Sequence, residues 1–191
     1  MLRQKCRIFA KSQSDGGHKA GVAASEGAQF LPIMIILKRL LWQTHIHNYV
    51  HIVFHTKSTG IIMRDEDLER IFQYIGGAIR GEGGIPFAVG GVADHVHILT
   101  TLPKNKSLAD FMRVIKANSS KWIHQLDSYY EAFRWQDGYG AFSVSPSRME
   151  GTTNYILTQA EHHKVESYHD EYLGILENYG VDYDEQRAFE D

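Results

Sequence analysis

Asp94-His95-Val96-His97-Ile98-Leu99 is the stretch from which the rest of the chain is read. Its alternation is that of a β-strand, where successive side chains point to opposite faces. His95, His97, Leu99 and Thr101 therefore share one face, and Val96, Ile98 and Leu102 take the other. A strand with imidazoles on one side and branched aliphatics on the other has one face in a core and one at a site. Neutral imidazole is the commonest protein ligand for a divalent metal. Two imidazoles on one pleat hold an ion only when a further ligand arrives from elsewhere in the chain.

Asn154 to His163 supplies a candidate. It reads as a helix, on which residues four apart are neighbours. Tyr155 and Gln159 then share a face, with His162 about one turn further along. His162 and His163 read as residues of the helix C-terminal region, where positive charge is favoured, and His51 and His55 as sheet-face residues.

The remaining elements follow from pattern. His47 to Thr56 alternates as a strand, and Asp65 to Gly81 has a helical apolar stripe of Leu68, Ile71, Phe72, Ile75 and Ile79. Phe87 to Val92 is a strand joined by a short link to the His95 strand. Ser107 and Asp110 open a helix carrying Leu108, Phe111, Ile115 and Trp122. Ala141 to Val144 is a last strand, and Ser145-Pro146 opens the tyrosine helix. Gly151-Thr152-Thr153 are poor helix formers and predict a kink just before Tyr155. Strand, helix, strand, strand, helix, strand, helix is an α+β, ferredoxin-like (RRM-like) layout. It has an antiparallel sheet with helices on one face, plus a C-terminal tyrosine-bearing helix. The other face, with His95 and His97, is expected to be left available.

Composition is that of a globular protein with material for a core, and the formal net charge of −3 gives no support to nucleic-acid binding beyond a local basic patch. The single Cys6 excludes an internal disulfide and fits a reducing cytoplasm. Residues 1–42 read as an N-terminal extension, disordered over its first part. Leu31 to Trp42 is too short for a membrane span. Residues 1–33 read as an upstream extension, with Met34 as the natural start.

His95-Val96-His97 with Tyr155 and Gln159 resembles the single-tyrosine HUH transposases, the small insertion-sequence and REP-associated tyrosine transposases. Tyr49-Val50-His51-Ile52-Val53-Phe54 is similar to the same family, as are Lys116 to Trp122, Trp135 to Ser145 and the closing Glu171 to Glu185. The resemblance covers residues 43–187. It implies cleavage and rejoining of single-stranded or hairpin DNA by Tyr155 through a 5′-phosphotyrosine, with Mg²⁺ or Mn²⁺ on His95, His97 and Gln159. It also implies a homodimer in which the tyrosine helix of one subunit can complete the site of the other. Ligand preference alone favours a softer ion, because imidazole suits zinc and Mg²⁺ prefers oxygen. Arg113, Lys116 and Lys121 are candidates to hold phosphates, and Trp135 and Tyr139 to stack on bases. Two other readings compete: a domesticated or inactive hairpin-DNA-binding protein of the same fold, and a zinc hydrolase or zinc-stabilised domain built on the two histidines.

Overall fold

Alternation on two neighbouring strands places the site. In the computed structural model, which describes residues 46–57, 60–163, 167–184 and 189, β1 (Tyr49–His55) and β3 (His95–Thr101) pair antiparallel, with Val53 opposite His97 and His51 opposite Leu99. Opposed residues share a face, so His51, Val53, His95, His97 and Leu99 line one side, and Ile52, Phe54, Val96 and Ile98 the other. β2 (Pro86–Gly91) flanks β3 and β4 (Gly140–Val144) flanks β1, both antiparallel, giving the order β2-β3-β1-β4. This is the ferredoxin-like arrangement that the element order implies. The extension at residues 1–42 and the Met34 start lie outside the described residues, as do residues 58–59 and 185–187.

The Ile52/Phe54/Val96/Ile98 face carries the main core. Onto it pack α1 (Leu68–Gly81), through Ile71, Ile75 and Ile79, and α2 (Leu108–Ile123), through Phe111 and Ile115. The Ser107 hydroxyl oxygen accepts from the Asp110 amide at 3.0 Å and caps α2, a contact of about 1 kcal/mol.

The histidine face is not left open. α3 (Met149–Leu157) and α5 (Tyr168–Asn178) contribute to two further apolar clusters, and the short α4 (Gln159–His162) lies between them in the chain. Val53 and Phe142 pack with Ile175 and Leu176; Ala88, Leu99 and Val144 pack with Ile156. A face bearing Val53, Leu99 and Phe142 is too apolar to stay wet. The cover also buries His95 and His97 completely.

Gly90 sets how closely the tyrosine helix approaches. A Cβ there would lie 2.4 Å from the carbonyl oxygen of Ile156, so only glycine lets α3 rest its backbone on β2. Gly151-Thr152-Thr153 do not kink the chain; they sit inside regular α3. The break comes after Tyr155, at Thr158 (φ −106°, ψ 12°). There the Thr158 hydroxyl donates to the Asn154 carbonyl at 2.9 Å, a side-chain bond that competes with the helical ladder.

Candidate metal and nucleophile site

Both strand histidines are fixed by what their Nδ1 atoms touch. His95 Nδ1 donates to Asp94 Oδ1 at 2.7 Å, and His97 Nδ1 lies 3.0 Å from His51 Nε2. His51 is buried. Burial, helped by the nearby His97, pushes its pKa down to about 3, so the ring is neutral. Burial likewise lowers His97, outweighing the Glu171 carboxylate beside it. For His97 Nε2 to present a lone pair, Nδ1 carries the proton and donates to His51, as Asp94 fixes the tautomer of His95. Among the described residues, neither buried Nε2 atom has a hydrogen-bond partner.

What they face is Glu171, on the first turn of α5. Its Oε2 lies 3.4 Å from His95 Nε2 and 3.3 Å from His97 Nε2, and His163 Nε2 is 3.0 Å from the same oxygen. Its Oε1 accepts from the Tyr155 hydroxyl and, at 2.7 Å, from Gln159 Nε2. Burial alone would raise this carboxyl, but the contacts from His97, Tyr155 and Gln159 overcome it and hold the group well below the usual carboxylate range. Gln159 is buried too, and its Oε1 has no partner among the described residues.

This donor set fits a divalent cation. His95, His97 and Glu171 each offer one ligand atom, all within 4.8 Å of one another, and Gln159 Oε1 joins the two Nε2 atoms as a third buried polar atom unsatisfied among the described residues. A buried polar atom without a partner costs about 1–3 kcal/mol, which makes three of them in one place a strong pointer to a missing partner. The carboxylate also adds a hard oxygen to the two imidazoles.

Tyr155, Gln159, His95 and His97 are therefore together, within one chain; the Tyr155 ring stands edge-on to His97 at 5.7 Å between centroids. His163 reaches the cluster through Glu171, and the His162 ring lies 5.3 Å from that of Tyr155. The residue that sequence reasoning missed is Glu171. Its signal was available: an acid one turn before Ile175, on the apolar stripe of α5, where a solvated carboxylate has no reason to be.

The five candidate DNA contacts stand elsewhere. Lys116 and Trp135 pack with the opposite face of the sheet and are already engaged. The Lys116 ammonium donates to the carbonyls of Gln136, Asp137 and Gly138 at 2.5, 3.1 and 2.8 Å. Trp135 is buried against Phe54 and Phe133, its indole N–H donating to Ser119 Oγ at 2.9 Å. Tyr139 packs against the same core. Arg113 and Lys121 are exposed on α2, and Arg113 lies 3.7 Å from Asp110.

Among the described residues no helix is long and apolar enough to cross a membrane. No curated protein matches the chain by sequence. Two solved structures are similar in outline. One is a protein of Deinococcus radiodurans R1 assigned as a transposase, at 19% identity and a TM-score of 0.46, covering 61% of this chain and 95% of that one. The other is a REP-associated tyrosine transposase bound to a REP hairpin, at 12% identity and a TM-score of 0.47, covering 63% and 73%. The family model for IS200-like transposases matches residues 44–159. That span runs from β1 through both strand histidines to Gln159 and takes in more than half of the sequence, so the chain belongs to the IS200-like transposase family.

Proposed function

We propose that the protein cleaves and rejoins single-stranded, hairpin-bearing DNA through a covalent bond to Tyr155. The observation that carries this is the convergence on one carboxylate: Glu171 takes the Tyr155 hydroxyl and the Gln159 amide on one oxygen and faces both strand imidazoles with the other. A divalent ion, Mg²⁺ or Mn²⁺, would be held by His95, His97, Gln159 and Glu171, and would supply charge neutralisation at the scissile phosphate.

The chain's own residues do the rest. Asp94 and His51 fix the two imidazoles in one tautomer. α3 holds the Tyr155 phenol beside His97, and Glu171 Oε1 is the acceptor in place for its proton. The phenolate oxygen forms a bond to phosphorus, the bond from phosphorus to the 3′-oxygen breaks, and that oxygen leaves as a 3′-hydroxyl with a proton. Attack by another 3′-hydroxyl reverses these steps and joins strands without an outside energy source. Tyr155 meets its own chain's histidines, so the reading places the nucleophile in cis, and a homodimer is not needed to complete the site.

The experiment is to incubate labelled hairpin single strands, drawn from a pool with randomised flanks, with protein and Mn²⁺ or Mg²⁺. A denaturation-resistant adduct that disappears with EDTA is expected. Binding without an adduct across the pool would reduce the protein to a hairpin-binding module.

A further inference from the structure

Beside Tyr155 lies a cavity of about 620 Å³, bounded by the end of β4, the first turns of α3 and the C-terminal end of α5. The volume is within the ~300–1,000 Å³ of small-molecule sites. Among the described residues its lining contains one formal charge, Arg148, and no carboxylate. Arg148 is exposed and pairs with no acid among the described residues. In a chain of net charge −3, a cavity whose only formal charge among the described residues is positive selects for an anion.

Its other groups narrow the anion. His51 lines the cavity, and its Nε2 is taken by His97. With His97 as donor in that contact, the His51 proton sits on Nδ1, which has no hydrogen-bond partner among the described residues. This puts an N–H donor on the cavity wall, with the His51 ring 6.3 Å from that of Tyr155 between centroids. Across the cavity, Tyr179 is 45% exposed, its ring leaning on Phe142 at 4.7 Å between centroids. Asn178 adds an amide able both to donate and to accept. A cation, neutral donors and a half-open aromatic face, with no acid to repel phosphate, match one nucleotide of a single strand.

We infer that this cavity is a nucleotide subsite, holding the nucleotide next to the phosphate that Tyr155 attacks, with its phosphate on Arg148 and His51 and its base against Tyr179. The inference rests on the strand-processing function proposed above and names where that strand lies. It moves the DNA contacts from α2 to the histidine face.

The test is calorimetric titration of the full chain with the four deoxynucleoside 3′,5′-bisphosphates, each a single nucleotide flanked by both phosphates. EDTA is present, so that an ion on His95 and His97 plays no part. At least one should bind. Arg148→Gln and Tyr179→Ala should each weaken it about tenfold, with unchanged thermal unfolding, since both side chains are substantially exposed. Arg70→Gln, on α1 across the sheet, should stay within about twofold. No binding by any of the four, or wild-type affinity in either variant, overturns the subsite. The two readings fail separately: hairpin adducts without bisphosphate binding sink only the subsite, and bisphosphate binding without adducts sinks only the cleavage reaction.

Discussion

The Tyr155 hydroxyl donates a hydrogen bond to Glu171, a residue sixteen positions further along the chain and on a different helix. The same carboxylate lies within 3.4 Å of His95 Nε2 and His97 Nε2. One side chain thus ties the Tyr155 hydroxyl to the strand histidines.

Replacing that side chain should uncouple them. Glu171→Gln keeps the shape and loses the charge, so Mn²⁺ affinity should fall by about 10–100-fold. The protein should still fold, because Gln offers an oxygen to Gln159 and Tyr155. Mn²⁺ titration followed by electron paramagnetic resonance reads the affinity directly. Wild-type affinity in Glu171→Gln would remove Glu171 from the ion.

The ion-free protein should lose stability on acidification. His51 has a pKa of about 3 when folded, through burial first and His97 second, against 6.5 for the ordinary group; His97 is lowered in the same direction by burial. A group depressed on folding contributes stability that is fully present above pH 6.5 and is lost as pH falls towards about 3, because the unfolded chain takes up protons that the folded one refuses. At pH 5 the His51 share is about 2 kcal/mol. Urea unfolding in EDTA at pH 7.5 and pH 5 should show a drop that is smaller in His51→Asn. Equal drops would mean that His51 is not the buried neutral partner described.

Gly90→Ala should lift the tyrosine helix from β2. The added Cβ meets the Ile156 carbonyl, and overpacking of this kind costs about 1–3 kcal/mol. Adduct formation should fall by more than stability does, since Tyr155 adjoins Ile156. A variant with wild-type adduct yield would show that α3 is free to shift without consequence.

Mixing Tyr155→Phe with the double variant His95→Ala, His97→Ala separates cis from trans. The site assembled within one chain predicts no recovered cleavage, with subunit exchange verified independently. Partial recovery would show that the helix crosses to a second subunit.

Much of the fold was legible because it depends on periodicity. The alternation at His95–Thr101 and the stripe of α1 are local patterns, and the order of strands and helices then leaves the ferredoxin-like sheet as the simplest closure. The covered histidine face was harder to see: imidazoles drew attention from Val53 and Leu99, which demand burial on the same side. Charge and aromaticity at Lys116 and Trp135 read as nucleic-acid contacts, while the fold gives these groups three carbonyls and the Ser119 hydroxyl as partners, which no local pattern shows. Glu171 was hidden for a different reason. Nothing local says that α5 folds back over β3, and only that packing turns an acid on an apolar stripe into a partner for His95, His97 and Tyr155.

The central claim is that Tyr155 carries the DNA. The most direct measurement is mass spectrometry of a protease digest after incubation with the hairpin pool and Mn²⁺. A phosphonucleotide attached to the peptide containing Tyr155, absent in Tyr155→Phe and absent in EDTA, is the predicted result. An adduct on another residue, or one formed by Tyr155→Phe, would contradict it.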